Sequence, residues 1–234
     1  MSHCRASVKF SGESGQGINS IGELFAKSIN ETGYRIFAYR EYPSLIKGGY
    51  ASYQIDFCGK EINSSSRECS ILLAFSNESL NQYLNTVSEN GIIIYDTKET
   101  TFTEEQEMLL KSKNISLIYL DSVEIAKASG GIEIMANVVM LGFLWRILSQ
   151  DSDILVDVIL DHFKNKNIDL DAEKKCILAG YNSPTYRPEL SSKFELPKTE
   201  MFKQSSYVLT GNEAVGLGSV ACGVRAYFAY PMTP

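Results

Sequence analysis

Two stretches of strand length, residues 70–75 (SILLAF) and 91–95 (GIIIY), run apolar without a break after their first residue. A strand with one face in water alternates apolar and polar side chains, so a strand apolar throughout has to be covered on both faces. That requirement dictates a sheet with helices on each side, and the rest of the chain supplies both kinds of element. Residues 6–10, 35–39 and 115–120 read as further strands, and 51–57 alternates as a half-buried strand does. Ile18, Ile21, Leu24, Phe25 and Ile29 recur at three- and four-residue spacing on one helix face, and Gly33 ends that helix. Helical patterns return over 78–87, 123–128, 153–163 and 172–181. Residues 134–148 are apolar nearly all round, the mark of a buried helix. Strands alternating with helices, then helices alone, predict a three-layer α/β domain over residues 5–182 with a mostly parallel sheet and C-terminal helices.

Composition changes after that domain. Residues 183–206 hold Pro184, Pro188 and Pro197, several serines and few apolar side chains, and read as an extended linker. In residues 207–234, Asn212 can cap a helix starting at Glu213. Gly216, Gly218 and Gly223 fall inside that helix, each costing about 0.5–1 kcal/mol relative to alanine. Such a loss is offset when a surface packs very close, so the segment expects a partner. The apolar run at 227–232 then has the character of a strand entering a sheet, and 207–234 reads as the truncated start of a second domain.

Charge and cysteine usage exclude several functions. The chain has 234 residues and a formal net charge of −6, with basic residues scattered rather than striped, so a nucleic-acid partner is not expected. The first nine residues lack the apolar core of a signal peptide, and 134–148 is too short to span a bilayer and carries Asn137 and Arg146. A cytoplasmic location with no membrane contact follows as an expectation. The five cysteines (Cys4, Cys58, Cys69, Cys176, Cys222) are far apart with no Cys-x-x-Cys pair, so neither a metal site nor an iron–sulfur cluster is expected on this chain. The two histidines, His3 and His162, lie in a terminus and a polar helix end, which leaves a nucleophile–histidine hydrolase without support.

The chemistry concentrates in two loops. Gly12, Gly15 and Gly17 follow the first strand and open the first helix, where unpaired N–H groups and the helix dipole favour an anion. A nucleoside-triphosphate loop would continue with Lys-Ser/Thr; here Ile18-Asn19 follow, which rules that motif out. A dinucleotide fingerprint runs Gly-x-Gly-x-x-Gly; here the order is Gly-x-x-Gly-x-Gly, with Glu41 near the end of the second strand as a ribose-binding acid. A tight turn with close helix–strand packing explains the same glycines without any ligand. The second loop, YREYPSLIKGGYASYQ, places Lys47 beside Gly48 and Gly49. Either it is a solvated turn, or it brings a cation to the same anion.

Taken together, SGESGQGINSIGELFAKSINETGYRIFAYREYPSLIKGGYASYQ resembles the opening of the γ domain of 2-oxoacid:ferredoxin (acceptor) oxidoreductases. The later segment GNEAVGLGSVACGVRAYFAYPMTP resembles the start of the α, thiamine-diphosphate pyrimidine-binding domain of the same enzymes. The resemblance covers nearly the whole chain, in the order γ, linker, α of the fused α subunit of 2-oxoglutarate- and 2-oxoacid-type members. It implies a Rossmann-like γ domain, and oxidative decarboxylation of a 2-oxoacid with coenzyme A to an acyl-CoA and carbon dioxide, electrons passing to ferredoxin. It further implies thiamine diphosphate with Mg, completed by an α region beyond these residues and by a β subunit that carries any iron–sulfur cluster. On that footing the fragment alone is inactive. Gly12, Gly15, Gln16 and Gly17 match the family's first loop, Ser14 departing from its all-glycine form. Tyr50 stands where the family often has histidine after the paired glycines Gly48 and Gly49. By the same resemblance the glycine loop would face a coenzyme A phosphate. Thr233, in Tyr-Pro-Met-Thr-Pro, would lie beside substrate and cofactor, where its hydroxyl can donate to an oxoacid oxygen. A nicotinamide- or flavin-binding dehydrogenase, and a γ domain serving only assembly, stand as the alternatives.

Overall fold

A computed structural model describes residues 5–13, 15–41, 50–98, 100–193, 196 and 207–230. The chain divides into two units, residues 1–202 and 203–234.

The first unit is built on a six-stranded sheet. Its strands are β1 (Arg5–Glu13), β2 (Arg35–Glu41), β3 (Tyr50–Cys58), β4 (Cys69–Ala74), β5 (Val87–Tyr95) and β6 (Ser116–Tyr119), in the order β2-β3-β1-β4-β5-β6. Strands β1, β4, β5 and β6 run parallel, each to its neighbour, while β3 runs antiparallel between β1 and β2. All six expected strands form. The two runs that dictated the architecture are buried as required: Ile71, Leu72, Leu73, Ile92, Ile93 and Ile94 are closed to solvent.

Helix α1 (Ile18–Glu31) covers one face of β1 and β3 with the side chains its spacing predicts, and Gly33, at φ 93°, follows its end. Phe25 of α1 packs on Phe10 and Phe57 of the sheet, with ring centroids 5.5 and 5.9 Å apart. On its far side Phe25 meets Trp145 of α5 (Ala136–Ile147) edge-on at 6.2 Å. Helix α5 is buried almost throughout and runs against α7 (Leu170–Tyr181) so closely that a Cβ on Gly142 or Gly180 would fall within 2.2 Å of a carbonyl oxygen of the other helix. Helices α4 (Ser122–Ala128) and α6 (Ser152–Phe163) complete this layer. On the opposite face, α2 (Asn77–Tyr83) and α3 (Glu104–Ser112) bring Leu80, Tyr83 and Leu110 onto Leu72, Ala74 and Ile93. Burial pushes the Cys69 thiol in this cluster up to about 11, so it stays protonated and packs as a small hydrophobe.

The elements depart from expectation in several places. The helix expected over 78–87 ends at Tyr83; a single 3-10 turn follows, and β5 starts at Val87, which is fully buried against Cys69. Helix α3 has no counterpart in the hydrophobic pattern, because it buries Leu110 alone; its capping box, Thr103 with Gln106, is the signal that marks it. Within the stretch read as extended, Pro188–Lys193 forms helix α8 with Leu190 buried. Ser191 there donates to the Arg146 carbonyl of α5 at 3.3 Å, and the Arg146 guanidinium lies over Tyr181 and Tyr186, 5.0 Å from each ring.

The second unit holds α9 (Gly211–Ala221). Its cap is Thr210 rather than Asn212, closed by a reciprocal Glu213. Gly223, at φ 83°, stands just past the helix and not inside it. No strand forms among the described residues that follow, and Val215, Val220, Tyr227, Phe228 and Tyr230 are all exposed. Among the described residues no single helix is long and apolar enough to cross a membrane.

Candidate functional site

Open parallel sheets bind ligands outside the carboxyl ends of their strands, where successive helices leave to opposite faces. Here that point lies between β1 and β4. Successive residues of β1 face opposite ways, so Phe10 meets α1 while Lys9 meets Tyr83 of α2. The glycine turn sits at that crevice.

The turn is built by its own side chains. Gly15 (φ 101°) and Gly17 (φ 76°) take left-handed conformations, and Gln16 N–H donates to Glu13 O at 3.1 Å. The Gln16 carboxamide accepts from Glu13 N–H at 2.7 Å and donates to Phe75 O at 3.3 Å, tying the end of β1 to the end of β4. From the start of α5, Asn137 Nδ2 donates to Gln16 O at 2.8 Å. A Cβ on Gly12 would come within 2.5 Å of the Gln16 amide oxygen, and one on Gly17 within 2.9 Å of Asn137 Nδ2. These glycines therefore make room for two amides that lock the turn.

Among the described residues, what remains free is the start of α1. Gly17 occupies its N-cap position without a side-chain hydrogen bond, and no acidic residue lies in its first turn. The N–H groups of residues 18–20 have no intrahelical acceptor and carry the positive end of the helix dipole. By contrast α2 and α4, which begin on the same edge, are capped by Ser76 and Asp121. Ser20 is exposed and Ile18 buried, so one side of the helix end faces solvent.

Farther along the edge the loops form a polar row that the sequence reading did not find. Thr97 and Thr100 hydroxyls donate to Asn77 Oδ1 at 2.8 and 2.6 Å. Asp96, at the end of β5, accepts from the Ser122 amide at 3.1 Å and from its hydroxyl. Burial pushes the Asp96 carboxyl up, opposed by those two hydrogen bonds. Lys98 pairs with Asp121 at 2.7 Å and holds that carboxyl below the usual range. The signal available was positional, an Asp directly after each of two apolar strands.

The remaining expected site residues divide in two. Glu41 ends β2, and β3 separates it from β1, so it stands about 10 Å across the sheet from the glycine-bearing strand. Its carboxylate accepts from Ser52 Oγ at 2.7 Å and faces Lys9. Lys47, Gly48, Gly49 and Thr233, with Ser14, lie outside the described residues. Tyr50, which follows Gly49, pairs in register with Glu13, so the second loop re-enters the sheet directly opposite the glycine turn. No cluster of three His, Cys, Asp or Glu able to hold a metal occurs among the described residues.

Comparison with known proteins follows the same outline. The family profile described as pyruvate ferredoxin/flavodoxin oxidoreductase matches residues 7–183. The 2-oxoacid:ferredoxin oxidoreductase subunit alpha of a Sulfolobus species is 26% identical over 98% of this chain and 40% of its own length. A 2-oxoglutarate:ferredoxin oxidoreductase from Magnetococcus marinus, solved with 2-oxoglutarate, coenzyme A and succinyl-CoA bound, superposes with a TM-score of 0.76 at 23% identity. That match covers 98% of this chain and 39% of the other. A keto/oxoacid ferredoxin oxidoreductase γ subunit from Geobacter sulfurreducens superposes at 0.61 and 20% identity, over 76% of this chain and 94% of its own. These two likenesses establish the fold. The chain spans about 40% of the length of the Sulfolobus relative it matches.

Proposed function

Because this chain belongs to the pyruvate ferredoxin/flavodoxin oxidoreductase family, we propose that it works in the α subunit of a 2-oxoacid:ferredoxin oxidoreductase. The reaction would take a 2-oxoacid, coenzyme A and two oxidised ferredoxins to an acyl-CoA, carbon dioxide, two reduced ferredoxins and a proton. The observation that carries the reading is the uncapped start of α1 at the switch point of a γ-type fold, a site suited to a phosphate of coenzyme A. Gln16 and Asn137 hold the turn so that the first-turn amides need no rearrangement to accept it. Lys47, from the loop that re-enters opposite Glu13, would supply a cation to the same group.

Thiamine diphosphate supplies the electron sink for loss of the carboxyl group in such a reaction. The described residues of the second unit do not fit it. Their one carboxylate, Glu213, closes the cap of α9, and no cradle surrounds the exposed apolar side chains. The cofactor and its Mg would be held by a further α region and a β subunit, with any iron–sulfur cluster on that partner and Thr233 at the margin of the pocket. The cytoplasm is the compartment this reading assigns. A dinucleotide role draws less support, since β3 stands between the glycine strand and Glu41.

The test is reconstitution of the α subunit containing this chain with its partner subunit, followed by assay of ferredoxin reduction. Reduction that requires both a 2-oxoacid and coenzyme A is expected. Reduction independent of coenzyme A, or none with any 2-oxoacid, would overturn the reading.

A further inference from the structure

The face of the sheet that α1 leaves uncovered carries a row of polar side chains. Ser7, Lys9 and Ser11 of β1 pair in register with Asp56, Gln54 and Ser52 of β3, and all six are buried. Asp56 is fully accounted for. It pairs with Arg5 at 3.0 Å and accepts from Ser65 Oγ, Gln54 Nε2 and the Ser66 amide at 3.1–3.2 Å.

Lys9 is not accounted for in the same way. Its side chain is 6% exposed, yet among the described residues its ammonium makes no hydrogen bond. The nearest carboxylate oxygen, Glu41 Oε2, stands at 3.9 Å and already accepts from Ser52 at 2.7 Å. Its remaining neighbour is the Tyr83 ring, with the centroid 4.7 Å away. An ammonium held from water with a single, distant carboxylate oxygen beside it is poorly compensated, and a positioned anion relieves that cost. Lys9 opens onto a cavity of about 370 Å³ whose wall includes Gln54, Tyr83, Thr86 and Arg67. Arg67 is exposed and joins no ion pair among the described residues, so the lining sets two cations against the single carboxylate of Glu41.

We propose that this cavity binds a small oxyanion, a carboxylate or phosphate group, with the Lys9 ammonium at its floor and the Arg67 guanidinium at its mouth. The site is separate from the start of α1. Lys9 lies mid-strand on the face opposite Phe10, and the inference stands whether or not coenzyme A meets the glycine turn.

Titrating the full chain with sodium phosphate and with sodium succinate, at constant ionic strength set by sodium chloride, tests it. Calorimetry would give affinities and amide NMR shifts would locate the site. Saturable binding of at least one anion is expected, with shifts at Gln54 and Thr86. Lys9→Met should weaken it about tenfold or more, as expected for one lost charge-assisted hydrogen bond. Arg67→Ala, at an exposed position that leaves the core intact, should weaken it severalfold. No saturable binding, shifts confined to residues 18–20, or affinities unchanged in Arg67→Ala and in folded Lys9→Met would each overturn the proposal.

Discussion

Gln16 uses both ends of its carboxamide inside the fold, accepting from Glu13 and donating to Phe75. The sequence singles it out as a loop residue between two glycines, but its second partner lies 59 positions away, directly after β4. No local spacing could reveal that. Gln16→Ala removes two hydrogen bonds of about 0.5–1.5 kcal/mol each, so denaturant unfolding should show a loss of about 1–3 kcal/mol. Glu173 shows a second effect of tertiary placement on a single residue. In α7 its carboxyl is buried with Oε2 lacking a partner among the described residues, and burial pushes it from 4.5 up to about 7. Raised in the folded state, this acid binds its proton more tightly there than when unfolded. Stability is therefore lost as pH climbs from about 4.5 to about 7 and stays reduced above that range. Glu173→Gln should match the parent in thermal midpoint at pH 4.5 and exceed it at pH 8. Equal midpoints at pH 8 would show that the carboxyl carries no such penalty.

At the scale of elements, the chain declared its strands more openly than its helices. The runs at 70–75 and 91–95 are apolar because both faces are covered, and that cause is written in every residue. Helix α3 buries one leucine and offers no stripe to read, and α2 stops early because Val87 is claimed by the sheet beside Cys69. The polar row at the strand ends was equally hidden, since it joins Asn77, Thr97 and Thr100 across separate loops. Glycine in helices is where sequence leaves both meanings open. A Cβ on Gly180 would lie 2.0 Å from the Val139 carbonyl oxygen, whereas one on Gly216 meets nothing within 4 Å among the described residues. Gly180→Ala should accordingly cost about 1–3 kcal/mol through forced separation of α5 and α7, read from denaturant midpoints. Gly216→Ala should raise the helicity of α9 in this chain, since alanine is favoured by about 0.5–1 kcal/mol. A fall in circular-dichroism helicity instead would mean that the glycine already makes a close contact.

On the scale of the molecule, the sheet order matters most. Placing β3 between β1 and β2 moves Glu41 away from the glycine turn and leaves a polar half-face where Lys9 sits. It also returns the chain at Tyr50 to the side of Glu13, which brings the end of the second loop to the first. The alternation of strands and helices predicted the layers; the inserted antiparallel strand depends on pairings between distant segments and could not be read from periodicity. The family assignment matches residues 7–183, the part of the chain that holds the sheet, α1 and the switch point.

Central to the proposed function is a phosphate of coenzyme A received by the bare start of α1. The measurement that tests it most directly is the steady-state kinetics of Ser20→Asp in the reconstituted enzyme, with coenzyme A as the varied substrate. Ser20 is exposed in the first turn, where a carboxylate favours the helix itself by about 0.3–1 kcal/mol, so the fold should hold or gain. A KM for coenzyme A raised severalfold with kcat unchanged is the predicted result. A KM equal to that of the parent would contradict the central claim.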